Sequence, residues 1–272
     1  MGEVHLNFNG SSIGVHTKNC WCARGVSMTY LIQKAFQLLQ KEDKVKSMKP
    51  FNKMFFVGDH EVGDYSMCAA TLKDTTIPCY IFDHWKECKI EDYDTECLKI
   101  SDRSKIPYIH NKMFWIGQLS NKIRAKFIKD YSNNPRVSAI SLRDHWGHSP
   151  NLIKEYVSLP DHCNYRYLLD LEGNGYSGRI KLLMNTKRPL FIQKRRLQEY
   201  WFYSLREYEH YIPVENDLSD LDNQLNWADK NISKCLQIAD NAADFAAKHL
   251  RKKNAIKRIR DILYKLGTGE FK

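Results

Sequence analysis

The sequence predicts an α/β fold with a mainly parallel sheet, and three observations carry that expectation. Short apolar runs stopped by Gly, Asp or Pro recur as strands. Segments with apolar residues at helical spacing lie between them. The alternation runs twice, once before about residue 110 and once after, as two α/β units do.

The elements follow in order. Met28, Leu31, Ile32, Phe36, Leu38 and Leu39 line one face of residues 26–41, which predicts an amphipathic helix. Met54-Phe55-Phe56-Val57 before Gly58-Asp59 reads as a buried strand ending in a loop, and Ile77 to Phe82 as a second strand. Phe114-Trp115-Ile116 before Gly117 is a third strand, Lys122 to Tyr131 a helix, and Arg136 to Ile140 a fourth strand. Tyr165 to Leu171 is a strand rich in aromatic and aliphatic residues, broken by Gly173-Asn174-Gly175, with a helix expected from near Ser177. Leu190 to Gln193 and Tyr211 to Val214 are strands. From Leu221 the chain reads as helix nearly to its end, with Ser219 as its N-cap.

Composition sets the limits. The chain has 272 residues, 43% hydrophobic and 12% aromatic, enough for a buried core in one large or two small domains. Charged residues make up 27%, which argues against global disorder. The net charge of +10 favours polyanionic or phosphate-bearing partners. Much of it falls in Lys248, Arg251, Lys252, Lys253, Lys257, Arg258, Arg260 and Lys265, a pattern that also suits a solvated helix face. Met1 to His5 show no secretion signal, and no run approaches the ~18 apolar residues of a membrane span, so a cytoplasmic location is expected. The eight cysteines do not require disulfides in such a setting. Only Cys20-x-Cys22 is close-spaced, with no His pair after it, so no structural metal is expected.

The densest local signal is DHCNYRYLLDLEGNGYSGR at residues 161–179. Gly173-x-Gly175-x-x-Gly178 follows a strand and precedes a predicted helix, so backbone N–H groups are free to approach a diphosphate. Arg179 adds a guanidinium suited to phosphate oxygens. An NAD-dependent oxidoreductase is one reading. Against it, the acid expected about 20 residues on falls in the dissimilar Gln198-Glu199-Tyr200.

This stretch, with PLFIQ, the run from Tyr200-Trp201-Phe202-Tyr203 and HYIPVENDLSDL, closely resembles glycosyltransferase family 90, which includes protein O-glucosyltransferases, capsule xylosyltransferases and lipopolysaccharide-modifying enzymes. The N-terminal half resembles the family more weakly. The resemblance implies a GT-B-like fold, two Rossmann-like domains facing across a cleft. Residues 1–110 would form an acceptor-side domain, 111–240 a nucleotide-sugar domain, and 241–272 a C-terminal helix packing back on the first. It implies an inverting, metal-independent transfer of a sugar from a UDP-sugar donor to a hydroxyl on a glycan or protein. Xylose is preferred and glucose next, in a viral or bacterial member.

Asp59, at the end of its strand, matches the family's catalytic base, and His60 is a weaker alternative. Cys22-Ala23-Arg24 matches an Arg-containing segment near the site. Gly117, Ser120 and Arg124 match donor-site positions, whereas Ile116 and Leu119 stand where the family has arginines. The leaving diphosphate would be neutralised by Arg179, Arg124 and the loop of Gly173, Gly175, Tyr176, Ser177 and Gly178. Asp170 or Glu172 would hold ribose hydroxyls, and Trp21, Trp115 or Tyr176 would stack on uracil or sugar. Two Asp-x-Asp pairs, Asp92/Asp94 and Asp220/Asp222, are metal-carrying patterns in other glycosyltransferase folds. A basic nucleic-acid-binding protein is the alternative of another class.

Overall fold

The computed structural model describes residues 2–21, 23–142 and 156–271. Met1 and Cys22 lie outside the described residues, so the Cys20-x-Cys22 spacing has no structural counterpart. In chain order the elements are β1 (Gly2–Phe8), β2 (Ile13–Lys18), α1 (Arg24–Lys41), β3 (Phe51–Val57), α2 (Tyr93–Ser104), β4 (His110–Gln118), α3 (Lys122–Tyr131) and β5 (Val137–Leu142). Then follow β6 (Tyr165–Asp170), α4 (Ile180–Leu183), β7 (Leu190–Gln193), β8 (Ile212–Val214), α5 (Leu221–Lys230), α6 (Ile232–His249) and α7 (Lys252–Thr268). The chain forms two compact units: Met1–Asp94 with Arg196–Tyr203 and His249–Lys272, and Thr95–Arg195 with Ser204–Lys248.

In the first unit β1 lies between β2 and β3 in a three-stranded antiparallel sheet. Val4, Leu6 and Phe8 alternate with Glu3, His5 and Asn7, so one face of β1 is fully buried, as period-two patterning dictates. A short turn joins β1 to β2, with Asn9 Oδ1 accepting from the N–H groups of Ser11 and Ser12 at 3.0 and 2.9 Å. A hairpin that tight makes an antiparallel pair, because a parallel pair needs a crossover of a dozen residues or more. The sheet of this unit is therefore antiparallel, not the Rossmann-like sheet implied for it. Helix α1 buries Met28, Leu31, Ile32, Ala35 and Leu39, and the Met, Leu and Ile side chains are each worth about 2 kcal/mol once removed from water.

Helix α7 packs along α1. Its charges are largely engaged within the unit. Arg258 donates to the carbonyls of Lys73 and Asp74 at 3.0 and 2.7 Å, and Arg260 meets Glu42 at 2.7 Å. The apolar run Ile77 to Phe82 is not a strand. It is buried throughout its apolar residues and ends in a 3₁₀ turn at Tyr80–Phe82. Burial of a core loop and of a strand give the same apolar run, and Pro78 removes a ladder donor.

The second unit holds a five-stranded sheet in the order β5-β4-β6-β7-β8, every neighbouring pair parallel. One face is an apolar core: Met113 and Trp115 of β4, Tyr167, Leu169 and Leu171 of the β6 segment, and Phe191 of β7 meet Phe127 of α3, Leu225 of α5 and Ile238 of α6. The predicted α/β class and parallel sheet are thus present. The expected C-terminal helix is three helices, α5 to α7, interrupted at Asn231 and at Leu250–Arg251. The N-cap position of α5 is Asp220, not Ser219.

Candidate functional site

The strand order fixes where a ligand can approach. From β4 the chain moves outward to β5, then returns to place β6 on the other side of β4 before continuing to β7 and β8. The strand order reverses between β4 and β6. In open parallel sheets ligands bind outside the carboxyl ends of the strands at that reversal. The predicted site residues of this unit fall at these two strand ends. Gly117 is the last residue but one of β4, exposed Ser120 follows the strand, Arg124 lies in the first turn of α3, Asp170 ends β6 and residues 171–179 follow it. The segment after the glycines is not the full helix expected from near Ser177. Helix α4 spans only Ile180–Leu183 and passes into a 3₁₀ turn at Met184–Thr186. A helix of four residues offers little dipole at this corner, which leaves side chains and loop amides as its polar groups.

Asp170 is fully buried. It meets Arg195 Nη1 at 2.7 Å and Arg179 Nε at 2.8 Å, and accepts from Ser177 Oγ at 2.8 Å. Burial alone would raise its carboxyl, but Arg195 and Arg179 outweigh that and hold it below the ordinary carboxylate range. This is a correction to the ribose-binding expectation: Asp170 is the enclosed internal counter-ion of two arginines. Arg179 also donates from Nη1 to the Ile116 carbonyl, while its Nη2 has no hydrogen-bond partner. Ile116 thus contributes through its backbone; its side chain is buried.

Arg124 donates to the carbonyls of Glu172 (2.7 Å), Gln118 (3.0 Å) and Leu171 (3.1 Å), tying the end of β4 to the start of the glycine loop. Burial, and then the charge of Arg179, push its pKa down to about 9, so it stays cationic at neutral pH. Trp115 is 1% exposed and cannot stack on a ligand, which corrects that expectation. Tyr176 is buried as well, at 7%, whereas Trp21 is 49% exposed.

Two residues that sequence reasoning passed over shape the loop. Asn121 caps α3 by accepting from Arg124 N–H, and its amide donates to the carbonyls of Glu172 and Gly173 at 2.9 and 2.7 Å. An Asn directly before a helix is a legible cap signal. Arg195, wholly buried against Asp170, carries no such signal in the run Lys194-Arg195-Arg196.

In the first unit Asp59 follows β3, as predicted, and accepts from Arg24 Nη1 at 3.1 Å. Both are partly exposed, and the Arg24 guanidinium also lies over the Tyr80 ring at 5.1 Å. The two expected residues are therefore brought together. A cavity of about 470 Å³ nearby is lined by Ala23, Val26, His84, Lys86 and Glu87. Ser27 Oγ and Asp83 Oδ2 both approach His84 most closely at Nδ1, at 2.9 and 2.7 Å, so this trio lacks the relay geometry of a nucleophilic triad.

The Asp-x-Asp pairs have structural partners. Asp92 pairs with Lys252 Nζ at 2.6 Å, and Asp94 accepts from the Lys252 N–H at the start of α7. Asp220 accepts from the Glu215 N–H, and Asp222 from the Tyr131 hydroxyl at 3.3 Å. Among the described residues no group of three or more His, Cys, Asp or Glu side chains is arranged to hold a metal ion.

Fold and site together define an α/β protein with an arginine- and glycine-bearing corner at the reversal point of a parallel sheet. Residues 62–266 match the family described as glycosyl transferase family 90, and the chain belongs to that family. Protein O-glucosyltransferase 2 of Danio rerio is 28% identical over 145 residues, covering 52% of this chain and 29% of the relative. Protein O-glucosyltransferase 1 of Rattus norvegicus is 34% identical over 95 residues, covering 35% and 24%. Uncharacterized protein 179R of Invertebrate iridescent virus 6 is 26% identical over 113 residues, covering 39% and 10%. The aligned stretch thus spans less than a third of each relative. Two solved structures resemble the chain: the C-terminal domain of the glycosyl transferase LpcC of Francisella tularensis (TM-score 0.37, 12% identity, 57% of this chain and 93% of that one) and Anabaena HepE in complex with UDP-glucose (TM-score 0.41, 14% identity, 63% and 53%).

Proposed function

We propose that the chain transfers a sugar from a UDP-sugar to an acceptor hydroxyl on a glycan or protein. The observation that carries this reading is the charge at the carboxyl ends of β4 and β6. Arg124, Arg179 and Arg195 gather around one buried carboxylate, Asp170, and even with Glu172 counted one positive charge is left uncompensated. Such an excess at a reversal point favours an anion, and a diphosphate leaving group is the anion that the family's chemistry supplies. Arg179, whose side chain is 12% exposed, and the Gly173–Gly178 loop would take the charge that develops as the glycosidic bond breaks.

Asp59 would accept the proton of the attacking hydroxyl, with Arg24 orienting it. Attack opposite the departing diphosphate inverts the anomeric carbon, and the arginines do the work that a metal does elsewhere. UDP-xylose is proposed ahead of UDP-glucose. The names of the O-glucosyltransferase relatives support glucose as the rival sugar. A cytoplasmic site of action, in an infected host cell for a viral member, completes the proposal. Thermal denaturation with UDP and with NAD tests the donor class: UDP at about 100 times its Kd raises stability by about 2.7 kcal/mol. Stabilisation by NAD and not UDP would overturn the reading. A hydrolysis screen across UDP-xylose, UDP-glucose, UDP-galactose and GDP-sugars ranks the donors.

A further inference from the structure

We propose that Trp115 is a positioning residue for the diphosphate, its indole ring holding both the Arg124 and Arg179 guanidiniums at the carboxyl ends of β4 and β6. The inference rests on reading that corner as the donor site. The Cζ atoms of Arg124 and Arg179 lie 5.7 and 5.9 Å from the Trp115 ring, both within cation–π range of one aromatic system.

The two cations need such a support. They repel, and the charge of Arg179 is one of the causes that depress Arg124. Asp170 gives its oxygens to Arg179 and Arg195, while the hydrogen bonds of Arg124 go to three neutral carbonyls. The electron-rich ring supplies attraction to both cations without adding an anion that would compete with a phosphate.

The indole is also an expensive core residue unless its ring does something more. Trp115 Nε1 is buried with no hydrogen-bond partner, a cost that a Phe packing against Phe127 would avoid. What Trp offers over Phe is the stronger π-face. The backbone makes room for it: a Cβ on Gly117 would come within 2.8 Å of the Trp115 ring, so any side chain there forces the ring to shift. This gives Gly117 a steric reason of its own, apart from ligand contact.

The test is calorimetric titration of UDP and of uridine into wild type, Trp115→Phe, Trp115→Leu and Gly117→Ala. UDP should bind about tenfold more weakly to Trp115→Leu and about threefold more weakly to the other two, in line with the usual strength of cation–π contacts. Uridine, which lacks phosphates, should bind all four proteins within about twofold. A merely structural role would weaken both ligands alike. Should Trp115→Leu fail to fold, Trp115→Phe and Gly117→Ala decide the matter. UDP affinity unchanged in folded variants, or equal losses for UDP and uridine, overturns the role of Trp115 and leaves the donor site standing. A wild-type protein that binds no UDP overturns the donor reading itself.

Discussion

Replacing Asp170 by Asn isolates the electrostatic centre of the second unit. The side chain keeps its shape and one carbonyl oxygen for Ser177, but the 2.7 Å pair with Arg195 and the 2.8 Å pair with Arg179 lose their anion in a wholly buried place. Breaking a buried pair by removing one partner costs about 3–5 kcal/mol, and the retained acceptor puts Asn near the lower end. In a chain of this size each kcal/mol moves the melting temperature by about 2–4 °C, so a fall of roughly 6–12 °C is expected at pH 7. The folded Asp170 carboxyl sits below its unfolded value. Its stabilisation is therefore complete above an unfolded pKa of about 4 and is lost as pH falls through the lower folded value. Scanning calorimetry at pH 7, 5 and 3 should show a full gap between wild type and Asp170→Asn at the first two and a narrower gap at the last. A gap under about 2 °C at pH 7, or one that does not narrow at pH 3, would refute the counter-ion role.

The remaining predictions concern the other titratable groups. His162 is buried, and desolvation pushes its pKa down to about 4. A histidine kept neutral in the fold contributes stability above its unfolded pKa of about 6.5 that is lost between there and about 4, roughly 3 kcal/mol in all; NMR should show its ring not titrating above pH 5, and an apparent pKa near 6.5 would contradict its burial. Asp59→Asn should bind UDP within about twofold of wild type while transfer falls at least about a hundredfold, as loss of a general base requires; retained turnover removes Asp59 from that role. EDTA should leave turnover unchanged, and activity abolished by EDTA and restored by Mn²⁺ would point to an acidic metal site instead.

Much of the second unit was legible in the sequence because its strands are short apolar runs bounded by turn residues. Phe114–Ile116 and Leu190–Gln193 lie on observed strands, Tyr165–Leu171 and Tyr211–Val214 each match a strand to within one residue, and the predicted helix Lys122 to Tyr131 is α3. The first unit was harder. Gly2–Phe8 carries its strand signal only as the alternation of Val4, Leu6 and Phe8 among polar neighbours. Helix α2 carries its apolar stripe on only Tyr93, Cys97 and Ile100, spaced among polar residues. Ile77 to Phe82 misled because core burial and strand formation demand the same residues.

The units themselves are discontinuous, with Arg196–Tyr203 and the last helix clustering with the N-terminal segment, a property of tertiary contacts that linear patterning does not encode. At the site, the glycine loop and Arg179 stood out by composition. Asp170 read as an open strand-end acid because nothing in its neighbourhood announces Arg195, 25 residues later in the chain, as its partner.

The claim on which the account depends is that Arg179 grips the diphosphate. Titrating UDP into wild type and Arg179→Ala measures it directly. Charge-assisted hydrogen bonds are worth about 1.5–3 kcal/mol, so affinity should fall roughly 10- to 150-fold. Equal affinity for UDP in the two folded proteins would contradict it.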